Sequence, residues 1–127
     1  MTSDPPPAGR KLQLQSGQSV ALLNCPRALE RTLLADVDGL RRVDDPATAD
    51  AVIGFVIRHE ELSGAGRPAI DAGLRDAVAW LAYPKGGRLG TDLNRDSLRA
   101  ALEPEGVQPV RQVAIDDVWS ALRLRPR

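Results

Sequence analysis

At 127 residues, with 17 basic and 17 acidic side chains, the chain carries no formal net charge. That balance argues against nucleic acid as the main partner, because phosphate binding needs a concentrated positive field. An apolar share of 43% suits one hydrophobic core, and a single cysteine with a single histidine excludes an internal disulfide framework and leaves no zinc-ligand spacing.

Residues 1–16, with prolines at 5, 6 and 7, lack the basic start, apolar stretch and cleavage site of a secretory leader. They are expected to be a disordered or extended lead-in, ahead of a single domain over 17–127. The apolar runs at 20–23 and 51–57 fall well short of the roughly 18 residues of a membrane span. The expected location is the reducing cytoplasm, with no membrane partner.

The run 18–23 ends in Asn24-Cys25-Pro26 and reads as a buried strand stopped by turn chemistry. Pro26 suits the first helical position with Asn24 or Cys25 as its cap, and Leu29, Leu33, Leu34 and Val37 then recur at helical spacing up to Gly39. A weak strand at 40–43 precedes the turn Asp44-Asp45-Pro46. Residues 51–57 are continuously apolar, the pattern of a central strand covered on both faces.

A broken helical stretch follows over 58–77, interrupted at Gly64, Gly66 and Pro68. Residues 77–83 form the next buried strand, then comes a loop at 84–92 and a short helix that stops at Pro104 and Gly106. Residues 107–126 split at Asp116-Asp117 into a hairpin. The alternation predicts an α/β, three-layer, Rossmann-like and mostly parallel sheet of about six strands, ordered 2-1-3-4-6-5 and ending in an antiparallel hairpin.

Tyr83-Pro84-Lys85, the segment Asp92-Leu93-Asn94-Arg95-Asp96, and the segment 113–123 with Asp116-Asp117-Val118-Trp119 at its centre carry a resemblance. The chain resembles a family of small bacterial proteins with no established activity, whose fold is a reduced methyltransferase-type Rossmann sheet. The resemblance implies the fold and supplies no catalytic residues. Methyltransferases of that type hold an adenosyl cofactor against a glycine-rich turn after the first strand, where only glycine lets the backbone come close. Here that turn is Asn24-Cys25-Pro26-Arg27, without glycine, so no cofactor is expected. Asp44 or Asp45 stands about 20 residues past the first strand, where an acid would hold ribose hydroxyls, and ordinary turn chemistry is the competing reading.

The segment with most to offer is 84–92. It leads from the carboxyl end of a parallel strand into a helix, where backbone donors favour an anion. Lys85 and Arg88 would add charge, Gly86 and Gly87 would let the backbone close around the ligand, and Thr91 would complete a loop for a nucleotide or other small anion. The order is wrong for a P-loop, Asp92 would repel an anion, and Thr91 or Asp92 also suits a plain helix cap. Gly64, Gly66 and Ala69 match dinucleotide spacing without its strand context.

Cys25 at a helix start admits two readings, a thiol of lowered pKa for which His59 is the only histidine partner, and a structural cysteine beside a surface histidine, which is the favoured one. Asp116 and Asp117 diverge on extended backbone and suit a turn. Trp119 and Arg123 share one face of the last strand and read equally as an interaction surface or as packing over the sheet, with an acid of the turn pairing to Arg123. No nucleophile, base, metal set or cofactor loop stands clear of a structural explanation. The chain therefore reads as a non-catalytic binding or protein-interaction module, with a degenerate anion-binding methyltransferase-like domain as the alternative. The partner is open, and a homodimer would cover the apolar hairpin edge.

Overall fold

The computed structural model describes residues 7–127. Six strands form one sheet: β1 (Ser19–Leu23), β2 (Arg41–Arg42), β3 (Ala51–Phe55), β4 (Val78–Pro84), β5 (Val107–Ala114) and β6 (Trp119–Pro126). Their order is β2-β1-β3-β4-β6-β5. The first four strands run parallel, β6 is antiparallel to β4, and β5 is antiparallel to β6. The expected order and hairpin are therefore present. The weak strand at 40–43 survives as two residues on the outer edge.

Helices cover both faces. On one, α1 (Ala8–Lys11) and α2 (Arg27–Asp36) accompany a core of Leu12, Leu14, Leu33, Val37, Ile53, Phe55, Trp80 and Trp119. On the other, α3 (Arg67–Leu74) and α4 (Arg95–Leu102) bring Ala69, Ile70, Leu98 and Leu102 against Val52, Leu81, Leu122 and Leu124. β3 is buried along its whole length, as a strand sandwiched between helical layers must be.

The lead-in is corrected by the structure. Residues 1–6 lie outside the described part, but from Ala8 the chain folds: the Gly9 N–H donates to Asp36 Oδ2 at 2.9 Å, and Leu12 and Leu14 are 0% and 4% exposed. The Leu12 carbonyl accepts the indole N–H of Trp80 at 2.8 Å. Two leucines at i and i+2 among glutamines supply the apolar area that fixes this segment on the sheet.

The start of α2 differs too. Pro26 is the N-cap, with no side-chain hydrogen bond, and its carbonyl accepts the Glu30 N–H at 2.9 Å. Asn24 is left-handed, with φ of 62°, and turns its side chain elsewhere. α4 is capped by Asn94, not by Thr91 or Asp92: the Asn94 side chain accepts the Ser97 N–H at 2.8 Å, and the Ser97 hydroxyl oxygen accepts the Asn94 N–H at 3.0 Å. This reciprocal pair satisfies two donors of the helix start.

Candidate functional site

Open α/β sheets hold ligands at the carboxyl ends of strands where the strand order reverses. Here that point lies between β1 and β3, since β2 flanks β1 on the other side. A carboxylate of the chain itself occupies it. Beyond β3 the chain enters a 3-10 turn, His59–Ser63, and Glu61 Oε1 accepts the N–H groups of Ile57 at 2.9 Å and Arg58 at 2.8 Å. The Asn24 amide donates to Glu61 Oε2 at 3.4 Å. The Ile57 and Arg58 N–H groups and one N–H of the Asn24 amide, donors at the edge of this crevice, are thus already engaged. Sequence reading missed Glu61, although an acid at the third position of a short helical turn is a recognisable capping signal.

Cys25 beside this crevice is not activated. Burial pushes its thiol up to about 12, the Glu30 carboxylate adds to the rise, and Arg42 opposes it. Of the two readings of Cys25, the raised pKa goes with the structural one, because desolvation of this half-buried sulfur outweighs any helix dipole at Pro26. Alkylation of Cys25 by iodoacetamide at pH 8 should be roughly a hundredfold slower than for a free cysteine. That figure combines the scarcity of thiolate with the partly offsetting nucleophilicity of a basic thiolate. Being set by thiolate, the rate should still be climbing tenfold per pH unit above about pH 9. A plateau near neutrality would contradict this assignment.

Asp44 and Asp45 do turn chemistry: Asp44 pairs with Arg42, and Asp45 Oδ1 accepts the Ala47 N–H at 2.9 Å. Gly66 lies where an added Cβ would stand 2.9 Å from Leu62 Cα, so it serves a close chain approach between the 3-10 turn and α3. Asp116 Oδ1 accepts the N–H groups of Val118 and Trp119 at 2.8 and 2.7 Å, which spends it on the hairpin turn. Arg123 therefore pairs with neither acid of that turn; its guanidinium donates to Gln13 Oε1 at 3.0 Å. Trp119 is 6% exposed and meets the Phe55 ring edge-on, with centroids 5.1 Å apart. Of the two readings of Trp119, packing over the sheet is the one the structure contains.

The 84–92 loop splits into parts with different work. Lys85 follows β4, and its N–H donates to the Val118 carbonyl at 2.7 Å, fastening the loop to the hairpin. Gly86, Gly87 and Gly90 have φ of 42°, 78° and 69°, and a Cβ at any of them would enter open space. Glycine is required here by backbone conformation. The Thr91 hydroxyl donates to the Ile57 carbonyl and accepts the Leu93 N–H at 3.1 Å, while Asp92 Oδ1 accepts the His59 N–H at 2.9 Å. Thr91 and Asp92 thus clip the loop to the end of β3.

On the other side of the loop opens a cleft of about 550 Å³. Lys85, Gly86, Gly87 and Thr91 line it from the loop, Arg95 from the start of α4, and Tyr83, Gln112 and Ser120 from the sheet. Four of the five loop residues singled out in the sequence are brought together there. Arg88 lies in the 3-10 turn Arg88–Gly90 and is not among the lining residues. The Gln112 amide donates to the Tyr83 hydroxyl at 3.3 Å. Burial raises the pKa of Tyr83 above the usual phenol range, and Arg95 works against that rise, so the phenol keeps its proton as a donor. Among the described residues neither Lys85 nor Arg95 has a carboxylate within ion-pairing distance.

Arg95 and Tyr83 stand within the segments 83–85 and 92–96, but sequence alone did not mark them as site residues. Gln112 and Ser120 reach the cleft only through the strand register that sets Tyr83 opposite Ser120 and Gln112 opposite Leu122. A smaller hollow of about 250 Å³ beside His59 contains Arg67, which is already paired with Asp71 and Glu105 at 2.8 and 2.7 Å.

No family model and no curated protein matches this chain. Among solved structures it is similar to NcsB1, an O-methyltransferase of neocarzinostatin biosynthesis in complex with S-adenosylmethionine and 2-hydroxy-5-methyl naphthoic acid. The TM-score is 0.57 at 14% identity, over 87% of this chain and 49% of that one. It is also similar to RosA, the N,N-8-amino-8-demethyl-D-riboflavin dimethyltransferase of Streptomyces davawensis, with a TM-score of 0.47 at 16% identity over 94% and 51% of the two chains. A protein of the NADB-Rossmann superfamily from Streptococcus agalactiae gives 0.48 at 11% identity over 99% and 70%. The chain spans about half the length of the two methyltransferases. At 14% identity the likeness to NcsB1 shows the fold alone, a methyltransferase-like Rossmann fold. No helix among the described residues is long and apolar enough to cross a membrane.

Proposed function

We propose that this domain is a binding module that takes a small anionic ligand in the cleft between the 84–92 loop, the start of α4 and the hairpin, without catalysing a reaction on it. The observation that supports this reading is the unpaired Lys85 ammonium and Arg95 guanidinium at the rim of a polar cleft floored by Tyr83, Gln112 and Ser120. The open backbone of Gly86 and Gly87 adds main-chain N–H groups that a ligand can approach without meeting a side chain. Asp92, the one carboxylate lining the cleft, is engaged by the His59 N–H. The only histidine lies outside the lining residues, and Tyr83 holds its proton, which is why we assign binding and no chemistry. The resemblance carried by residues 83–85, 92–96 and 113–123 to a family of small bacterial, cytoplasmic domains belongs to the same proposal.

Titration calorimetry with inorganic phosphate is expected to show saturable binding that weakens with added salt. Lys85→Ala and Arg95→Ala should each weaken it by about 10- to 100-fold, in keeping with the ~1.5–3 kcal/mol of a hydrogen bond to a charged group. S-adenosylmethionine is expected to give no saturable thermal stabilisation, because Glu61 and Asn24 fill the crevice between β1 and β3. Silence with phosphate, or adenosylmethionine binding that survives Lys85→Ala, would overturn the proposal.

A further inference from the structure

The cleft is one end of a longer groove. Next to it lies a narrow hollow of about 120 Å³, and beyond that another of about 290 Å³. The first two share Arg95 and Gln112, and the second and third share Arg99 and Pro109. Each shared pair has one residue from α4 and one from β5, so the three hollows lie in a row along the seam between α4 and the outer strand of the hairpin, a shallow channel with those two elements as its walls. Arg95 and Arg99 are four residues apart on α4 and stand on one helical face, about 6 Å apart along the axis. On β5 it is Pro109 and Gln112 that face α4, whereas Arg111 stands opposite Arg123 and projects on the other face of the sheet; Arg127 closes the far end.

Charge is distributed unevenly along this channel. Of its four basic residues, Lys85, Arg95, Arg99 and Arg127, only Arg127 has an acidic partner among the described residues, Glu103 at 3.4 Å. The acids that line it are Glu103 and Asp92, and both are engaged. Asp96 on α4 neither lines the channel nor comes within pairing distance of Arg99. The other described ion pairs lie elsewhere, at Arg42, Arg58, Arg67 and Arg125. In a chain of zero net charge, an unpaired row of guanidinium groups along a channel is a concentrated positive field of the kind that multiply charged anions require.

Resting on the cleft reading, we infer that the ligand is a linear oligophosphate, free or as the tail of a nucleotide, laid along the α4–β5 channel and held by Arg95 and Arg99 beyond the phosphate site at Lys85. Planar guanidinium forks match phosphate oxygens two at a time, which suits arginine for each successive group. Single-stranded nucleic acid is disfavoured because the channel offers no exposed aromatic ring for stacking; Tyr83 is 4% exposed and engaged by Gln112. An acidic peptide added to the edge of β5 is disfavoured because Pro109 lacks an N–H and the strand register breaks between Pro109 and Arg111.

Calorimetric titrations at constant ionic strength with phosphate, pyrophosphate and tripolyphosphate test this. The dissociation constant should tighten at least tenfold from phosphate to tripolyphosphate. Arg99→Ala should abolish that gain, and Arg99→Lys should restore part of it. Arg99 is exposed, and unchanged thermal unfolding of the variants in buffer checks that they fold. Phosphate binding without any gain from chain length overturns this inference and leaves the cleft reading standing, whereas silence with all three anions overturns both. Equal affinity for tripolyphosphate and a nucleoside triphosphate shows that the phosphate chain alone is recognised, and a tenfold preference for the nucleotide shows that its base or sugar is also held. Tighter binding of a single-stranded oligonucleotide, or of an Asp-rich peptide of equal charge, overturns the assignment to oligophosphate.

Discussion

Trp80→Ala is expected to destabilise the fold by about 3–5 kcal/mol, a large part of the roughly 5–15 kcal/mol that holds a domain of this kind together. Trp80 is 0% exposed at the middle of β4, between Ile53 of β3 and Arg123 of β6. Its ring faces the core that Leu12, Leu33, Phe55 and Trp119 share, and truncation leaves a cavity that a sheet pinned on both sides closes only in part. The indole N–H also ties the Leu12 carbonyl across 68 residues. Trp80→Phe separates the two contributions: it keeps most of the ring but leaves that carbonyl unpaired, at a cost of about 1–3 kcal/mol. Urea unfolding of the three proteins measures both values. A loss under about 1 kcal/mol for Trp80→Ala would mean that residues 8–14 do not dock on β4 as described. Amide exchange should show the protection of Leu12 and Leu14 falling first in either variant.

Gly54→Val should destabilise by about 1–3 kcal/mol or more, against the usual trend for a strand. On propensity alone, valine in a central strand gains up to about 1 kcal/mol over glycine. Sterics reverse the sign here. A Cβ on Gly54 would stand 2.7 Å from the Ala65 carbonyl oxygen and 3.3 Å from Ala69 Cβ. The first of these is backbone at the entrance to α3, and the second belongs to a residue buried at 0% exposure, so neither gives way easily. Relief requires α3 to lift from the sheet, and with it the 3-10 turn that carries Glu61. Denaturant unfolding reads the cost, and a stability at or above that of the native chain would refute the close approach of β3 to the segment before α3. Gly86→Ala is the instructive contrast: space is open around it, and only its positive φ resists.

The overall architecture was legible from residue order. Continuous apolar runs at 51–57 and 77–83 between helical patterns mark strands covered on both faces, and the turn acids at 116 and 117 mark a hairpin. With short crossovers, those signals leave few sheet orders open, and the observed β2-β1-β3-β4-β6-β5 is the expected one. The site was legible in part. Lys85, Gly86, Gly87 and Thr91 do line a cleft, because a loop at the carboxyl end of a parallel strand has nowhere else to open. Arg88 does not line it, and Arg95 and Arg99, which the sequence reading did not mark, do line the groove beside α4.

The sequence by itself determined the order of the six strands and of the helices from α2 onward, and it showed a first strand-to-helix turn without glycine. Those properties follow from local periodicity and backbone chemistry, which a linear pattern carries in full. Only the tertiary structure decided that residues 8–14 belong to the core, that Trp119 packs on Phe55, that Cys25 is held as a thiol, and that Glu61 fills the crevice between β1 and β3. Each of those depends on which distant atoms reach a given place, 68 residues away for Trp80 and Leu12 and 37 for Asn24 and Glu61. Burial, desolvation and pairing are set by that proximity, and no spacing along the chain encodes it.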